Sequence, residues 1–200
     1  MRGGRCVPLV CDVTAADQVR TLFAQIPRLD ILVNNAGCNI PEPFTDVSEE
    51  HLDRLLSLNV RAAFLVAQAA VRKMRESPDR KERGGSVVNM SSQMGRVGSP
   101  NRTVYCMTKH AIEGLTKAMA VELAVENFRV NAVAPTFIET PMTAASFQNE
   151  SFRTWVTDRI PLGRIGEAHE VSAAILFLAS PAASLITGES LAIDGGWSAQ

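Results

Sequence analysis

The sequence predicts an α/β fold, a doubly wound parallel sheet in one domain. Three observations carry this expectation. Short apolar runs alternate with longer helical patterns along the whole chain. The short runs are nearly continuous in apolar residues, as in strands covered on both faces. Each run is separated from the next by a helical stretch, which is what a parallel crossover requires.

The first candidate strand is "CVPLVC" (6–11), where Pro8 cannot donate to a ladder and so marks an edge. A helix over 15–26 follows, with Thr14 and Asp17 placed like a capping box ahead of Val19, Leu22 and Phe23. "LDILVNN" (29–35) is the next strand, and Ser48 with Glu49 and Glu50 opens a helix over 48–76. "GSVVNMS" (85–91) leads to a helix over 103–126, which Asn127 can end in the left-handed conformation. "RVNAVA" (129–134), a helix over 167–179 and "SLAID" (190–194) complete the pattern, with no repeat, low-complexity tract or linker. The helices at 48–76 and 103–126 are apolar around their circumference, as in "AAFLVAQAAV" and "GLTKAMAVELAV". One face covers the sheet and the other would be wet in a monomer, so these helices are expected to form a homo-oligomer contact, a dimer or tetramer. Ala111, Gly114 and Ala118 add a small-residue stripe for close helix approach.

Two hundred residues, 46% hydrophobic and 20% charged with a formal net charge of −1, suit a single domain spanning the chain. The charge balance gives no electrostatic reason for nucleic acid or an anionic membrane as partner. No apolar run reaches the ~20 residues of a membrane span, and the amino terminus lacks the core of a signal peptide, so a cytoplasmic location is expected. Cys6, Cys11, Cys38 and Cys106 form no CxxC pair, and His51, His110 and His169 show no ligand spacing, so no metal is expected.

The chemistry gathers around "YCMTK", where Tyr105, the chain's one tyrosine, precedes Lys109 by a helical turn. A phenol titrates near ~10, too high for proton transfer at neutral pH. A nearby ammonium lowers that value and makes tyrosine a usable acid/base. Taken alone, the pair also fits an ordinary surface contact. Ser92, in "NMSSQMG", ends a strand, as do "NNAG" (34–37) and "APTFIET" (134–140). Ligand sites in open α/β sheets lie beyond the carboxyl ends of strands, so these segments share one rim. Asn59 lies mid-helix, where asparagine is a poor former, and implies a specific partner.

The ordered set "LVNNAG", "LSLNV", "VVNMSS", "YCMTK", "VNAVAP" and "ITGESLAIDGG" resembles the short-chain dehydrogenase/reductase family over nearly the whole chain. "PLGRIGEAHEVSAAILFLAS" (161–180) fits the family's carboxyl-terminal pattern, and Ser92 precedes Tyr105 by the usual interval. The resemblance implies a Rossmann-like sheet and an NAD(P)-dependent oxidoreductase that interconverts a secondary alcohol and a ketone. It implies Tyr105 as acid/base, with Lys109 lowering the tyrosine's pKa and binding the nicotinamide ribose. Ser92 would hold the substrate oxygen, and Asn59 a helix kink and a water leading towards Lys109. On the cofactor side, Asp12 and Val13 match the adenine contacts and Asn35, Ala36 and Gly37 the adenosine loop. Pro135, Ile138 and Thr140 match the segment around the carboxamide. Asp12 also suits a helix start, and Trp155, Trp197 and segment 141–160 suit either a substrate lid or core. The nearest branch holds 3-oxoacyl-carrier-protein reductases and sugar or polyol dehydrogenases.

Two features depart from the family. Thr136 stands where glycine is usual, which either narrows the nicotinamide end or selects a different substrate. No TGxxxGxG turn is present, so two strands and two helices, on the order of 50 residues, are missing by comparison with the βαβ unit. "MRGGRCVPLVCDV" reads like the tail of the family's second helix running into its third strand. With strand order 3-2-1-4-5-6-7, the strand at 6–11 would lie ~14 Å from "LDILVNN" with nothing between them. The edge at 29–35 would be exposed, and the first segment should drift or the chain should fold poorly. Met1 would then be an internal start or the trimmed end of a longer protein. In-frame coding sequence for TGxxxGxG upstream supports this and an in-frame stop refutes it. Cofactor preference between NAD and NADP is unreadable. A second reading stays open, a catalytically silent form that acts as an assembly partner of full-length subunits.

Overall fold

The computed structural model describes residues 4–200. Four strands, β1 (Ile31–Asn34), β2 (Gly85–Met90), β3 (Phe128–Pro135) and β6 (Ser190–Ile193), form a wholly parallel sheet in the order β1-β2-β3-β6. A two-residue parallel pair, β4 (Ile138–Glu139) with β5 (Gly166–Glu167), stands apart from it. The helices are α1 (Ala16–Gln25), α2 (Glu49–Leu56), α3 (Ala63–Arg75), α4 (Arg80–Arg83), α5 (Thr103–Leu123), α6 (Pro141–Phe147), α7 (Glu150–Thr157) and α8 (Ala168–Ala179).

Alternation along the strands sorts two cores onto the two faces of the sheet. Val87 and Val130 face α3 and α5, where Val71, Met74, Ala120, Leu123 and Phe128 join them. Val88 and Val133 face the other way, onto Val171 and Leu178 of α8. Helices therefore cover both faces, as the apolar runs required. On the α8 side, the far end of the sheet is bare. Ile31 is 47% and Val33 42% exposed, and among the described residues β1 pairs only with β2. Polar side chains also cross the layers. Asn34 donates to Ala63 O at 2.9 Å and to Asn89 Oδ1 at 3.3 Å, and Asn89 donates to Thr116 Oγ1 at 2.9 Å.

The strand expected at 6–11 does not form. Residues 6–11 make no sheet pairing, and Val7, Leu9 and Val10 are exposed. A strand exists only through its ladder, and no strand among the described residues pairs with this segment. Cys11 alone packs inward, beside Val19, Phe23 and Ala70. The expected helix tail at the start of the chain falls partly on residues 1–3, outside the described residues.

The capping box expected at Thr14 and Asp17 is also replaced. Ala15 is the N-cap and caps nothing, while Gln18 Oε1 reaches back 2.9 Å to the Asp12 amide. The other caps form as read. Ser48 accepts from His51 N at 3.2 Å, and Asn127 takes φ 60° after α5. The helix read as one piece over 48–76 is α2 and α3 joined by a π-helical stretch, Ser57–Ala62. By length and composition Glu49–Arg75 could cross a membrane, but its apolar stripe is core: Ala63, Ala67, Ala70, Val71 and Met74 are buried.

Candidate active site

The carboxyl ends of β1, β2 and β3 and the first two turns of α5 meet at one rim, and Ser92, Tyr105, Lys109 and Asn59 come together there. Ser92 follows β2 by two residues, with backbone φ −164° and ψ 159°. Its hydroxyl accepts from Met94 N at 3.2 Å, donates to Pro135 O at 3.5 Å, and lies near enough to the Tyr105 phenol to lower its pKa. The long contact to Pro135 leaves that proton free to turn towards a better acceptor.

The structure of the free chain does not lower the pKa of Tyr105 as the Tyr–Lys spacing predicts. Burial dominates and raises the phenol above its ordinary value. The Ser92 bond and Arg102 act downward, and the Cys106 and Cys38 thiols upward. The Lys109 ammonium lies 5.5 Å from the centre of the tyrosine ring and donates at 2.8 Å to Met90 O. Lys109 is itself 5% exposed, and burial lowers it to about 8, against smaller opposing effects of Cys38 and Glu113. Burial thus favours the neutral form of each group separately. The expectation of a charged pair left out the desolvation that a shared cleft imposes.

Asn59 sits inside the π-helical stretch, where the widened turn turns its amide inward. It accepts from Cys38 N at 2.9 Å and donates to Cys38 O at 2.8 Å and Thr108 Oγ1 at 3.2 Å. The amide therefore clamps the loop that follows β1. Gly37 lies against this clamp: a Cβ there would be 3.2 Å from Asn59 Oδ1 and 3.8 Å from Lys109 Nζ. Asn35 and Ala36, just before it, are exposed at the rim.

The other residues matched to a cofactor are less free. Asp12 Oδ1 accepts from the Thr14 amide at 2.9 Å and hydroxyl at 2.7 Å, which lowers its pKa. Asp12 therefore stiffens the entry to α1, with Val13 half-buried beside it. Arg61 donates to Thr14 O at 3.1 Å and ties this turn to the π-helical stretch and so to the rim. The Ile138 side chain belongs to the core, which leaves only its backbone for a ligand. Thr140 caps α6 through Thr143, and Pro135 ends β3.

Thr136, at the departure from glycine, is not strained. Among the described residues only Asn101 and Asn127 combine a side chain with positive φ. The Thr136 amide donates to Ile193 O at 3.1 Å, while its buried Oγ1 has no partner. Thr136 also lines a cleft of about 510 Å³ with Ile160, Arg164 and Asp194. The segment 141–160, for which no secondary structure was read, forms α6 and α7. Its Phe147, Phe152 and Trp155 pack with Phe137 and Trp197 into one aromatic cluster. The aromatic spacing was the one signal that could have revealed it.

The residues fit the nicotinamide end of a dinucleotide: a side-chain-free approach at Gly37, an ammonium beside it, and an unsatisfied hydroxyl at Thr136. For the pyrophosphate, no glycine-rich turn opens a helix at this rim among the described residues.

Residues 2–198 match the family model described as enoyl-(acyl carrier protein) reductase. The chain is 43% identical over 197 residues to the 3-oxoacyl-(acyl-carrier-protein) reductase FabG of Thermotoga maritima, covering 96% of this chain and 77% of that protein. It is 40% identical over 194 residues to the L-xylulose reductase of Bos taurus, covering 96% and 77%. Among solved structures, a putative NAD(P)-dependent gluconate 5-dehydrogenase from Beutenbergia cavernae with bound NADP superposes with a TM-score of 0.92 at 33% identity, covering 99% and 79%.

Proposed function

Because the chain belongs to the short-chain dehydrogenase/reductase family, we propose that it interconverts a secondary alcohol and a ketone with NAD or NADP, Tyr105 acting as acid/base. The observation behind this is the convergence of Ser92, Tyr105 and Lys109 at the carboxyl rim of the sheet. The bound nicotinamide supplies or accepts the hydride. Lys109 and the Gly37 loop would hold its ribose end. Ser92 turns its hydroxyl from Pro135 O to the substrate oxygen and stabilises the charge that develops there. In reduction, the Tyr105 O–H bond breaks and its proton goes to that oxygen. The raised pKa of the phenol keeps this proton in place until it is needed. The phenolate left behind is stabilised by the Lys109 ammonium, and in oxidation the proton returns the same way.

The substrate is a small-molecule carbonyl or alcohol; the segment 141–160 would cover it as a lid, or serve only as core in the aromatic cluster of Phe137, Phe147, Phe152, Trp155 and Trp197. The enzyme works in the cytoplasm as a homo-oligomer built on the outer faces of α3 and α5. Ala111, Gly114 and Ala118 are exposed on that face, beside Met107 at 48% and Val121 at 80% exposure.

Tyr105→Phe tests the reading: turnover should fall by about 10²- to 10⁴-fold with cofactor binding kept. Retained turnover refutes it. The second reading, a silent assembly partner, rests on the same exposed face of α5. Titrating NADH and NADPH into the folded chain separates the two. Saturable nicotinamide fluorescence supports the enzyme, and none supports the silent partner.

A further inference from the structure

One turn beyond Lys109 on α5 lies Glu113, with 9% of its surface exposed. A buried carboxylate is costly unless its oxygens are bonded and its charge is answered. Its Oε1 accepts from Ser91 Oγ and, at 2.8 Å, from Ser190 Oγ. Ser91 is the neighbour of Ser92, and Ser190 opens β6. Gly95 closes the unit. A Cβ there would sit 2.7 Å from Ser91 Oγ, 3.0 Å from Lys109 O and 3.1 Å from Glu113 Oε1, so no side chain can enter.

We propose that Glu113 is a positioning residue: through Ser91 it fixes the end of β2 so that Ser92 meets Tyr105, and it gives the Lys109 ammonium a negative neighbour. The proposal rests on the roles assigned above to Ser92, Tyr105 and Lys109. Three other titratable groups bear on these. The Cys38 thiol, from the loop after β1, faces Lys109 and Tyr105, and Arg102 and Cys106 face Tyr105. Arg96, one residue past Gly95, lies 4.0 Å from Glu189. Removing the Glu113 charge favours the neutral amine of Lys109, which moves the alkaline limb of the reaction downward.

The test is the titration midpoint of Lys109, followed by the ¹³Cε shift of labelled protein and assigned with Lys109→Arg. Glu113→Gln keeps shape and removes charge, and the midpoint should fall by about half a pH unit or more. The alkaline limb of turnover should fall with it. Glu113→Asp and Ser190→Ala keep the charge and should leave the midpoint in place. An unmoved midpoint in folded Glu113→Gln overturns the proposal, and so does an equal fall in Ser190→Ala. If Glu113→Gln does not fold, the two charge-keeping variants decide: a midpoint held in both supports the proposal and a fall in either overturns it. The midpoint needs no turnover, so a wrong role for Glu113 is distinguished from a wrong reaction.

Discussion

The Lys109 ammonium donates a 2.8 Å hydrogen bond to the carbonyl of Met90, the last residue of β2. This bond joins the helix carrying the phenol to the strand leading to Ser92, and it holds a charge that burial opposes. Lys109 titrates at about 8 in the fold and at ~10.4 in an unfolded chain. Between these values the unfolded chain binds more protons, so this group makes stability rise with pH. The urea midpoint of the wild type should therefore gain on that of Lys109→Met from pH 8 upward. The Cys106 thiol and Tyr105 phenol, both raised in the fold, act in the opposite sense but equally in both proteins. Parallel curves would contradict the depressed pKa.

Asn59→Leu should cost about 2 kcal/mol or more, because it orphans both backbone groups of Cys38. A urea titration with unchanged slope would register this as a lower midpoint. An unaltered midpoint would mean the clamp contributes nothing.

The two glycines of the rim should differ under substitution by alanine. At Gly37 the nearest atom is a side-chain oxygen at 3.2 Å; at Gly95 the backbone carbonyl of Lys109 is at 3.0 Å and a buried hydroxyl at 2.7 Å. Overpacking costs about 1–3 kcal/mol when neighbours cannot yield. Gly95→Ala should lose more stability than Gly37→Ala in thermal unfolding; the reverse order would place the tighter contact elsewhere.

Ala118→Arg puts a long cation on the exposed face of α5. Sedimentation should show smaller particles than the wild type, with helix content unchanged. Unchanged sedimentation would remove α5 from the assembly surface.

Much of this was legible because burial writes itself into apolar spacing. The four strands of the sheet, the caps at Ser48 and Asn127, and the convergence of Ser92, Tyr105, Lys109 and Asn59 all followed from pattern and motif. What failed depended on partners. "CVPLVC" has the composition of a strand but no ladder to join. Thr14 caps nothing because the helix starts one residue later, at N-cap Ala15, and the Thr14 hydroxyl donates to Asp12 instead. The direction of the Tyr105 shift depends on how deeply the pair is enclosed, which spacing does not encode. Glu113 went unnoticed because a lone glutamate in a long helix looks like any solvated one until Ser91 and Ser190 arrive from two strands.

The widened turn at Ser57–Ala62 also governs how the chain tolerates length changes. A π-helical turn holds about one residue more than an α-turn, so deleting one position within 57–62 would straighten the rod and leave everything beyond it in phase. Leu55, Ala63, Ala67, Ala70 and Met74 would keep their seats. A deletion in the α-helical turns on either side would instead turn the helix by about 100° and be read out some 20 Å away along it, as a core whose knobs no longer meet their holes.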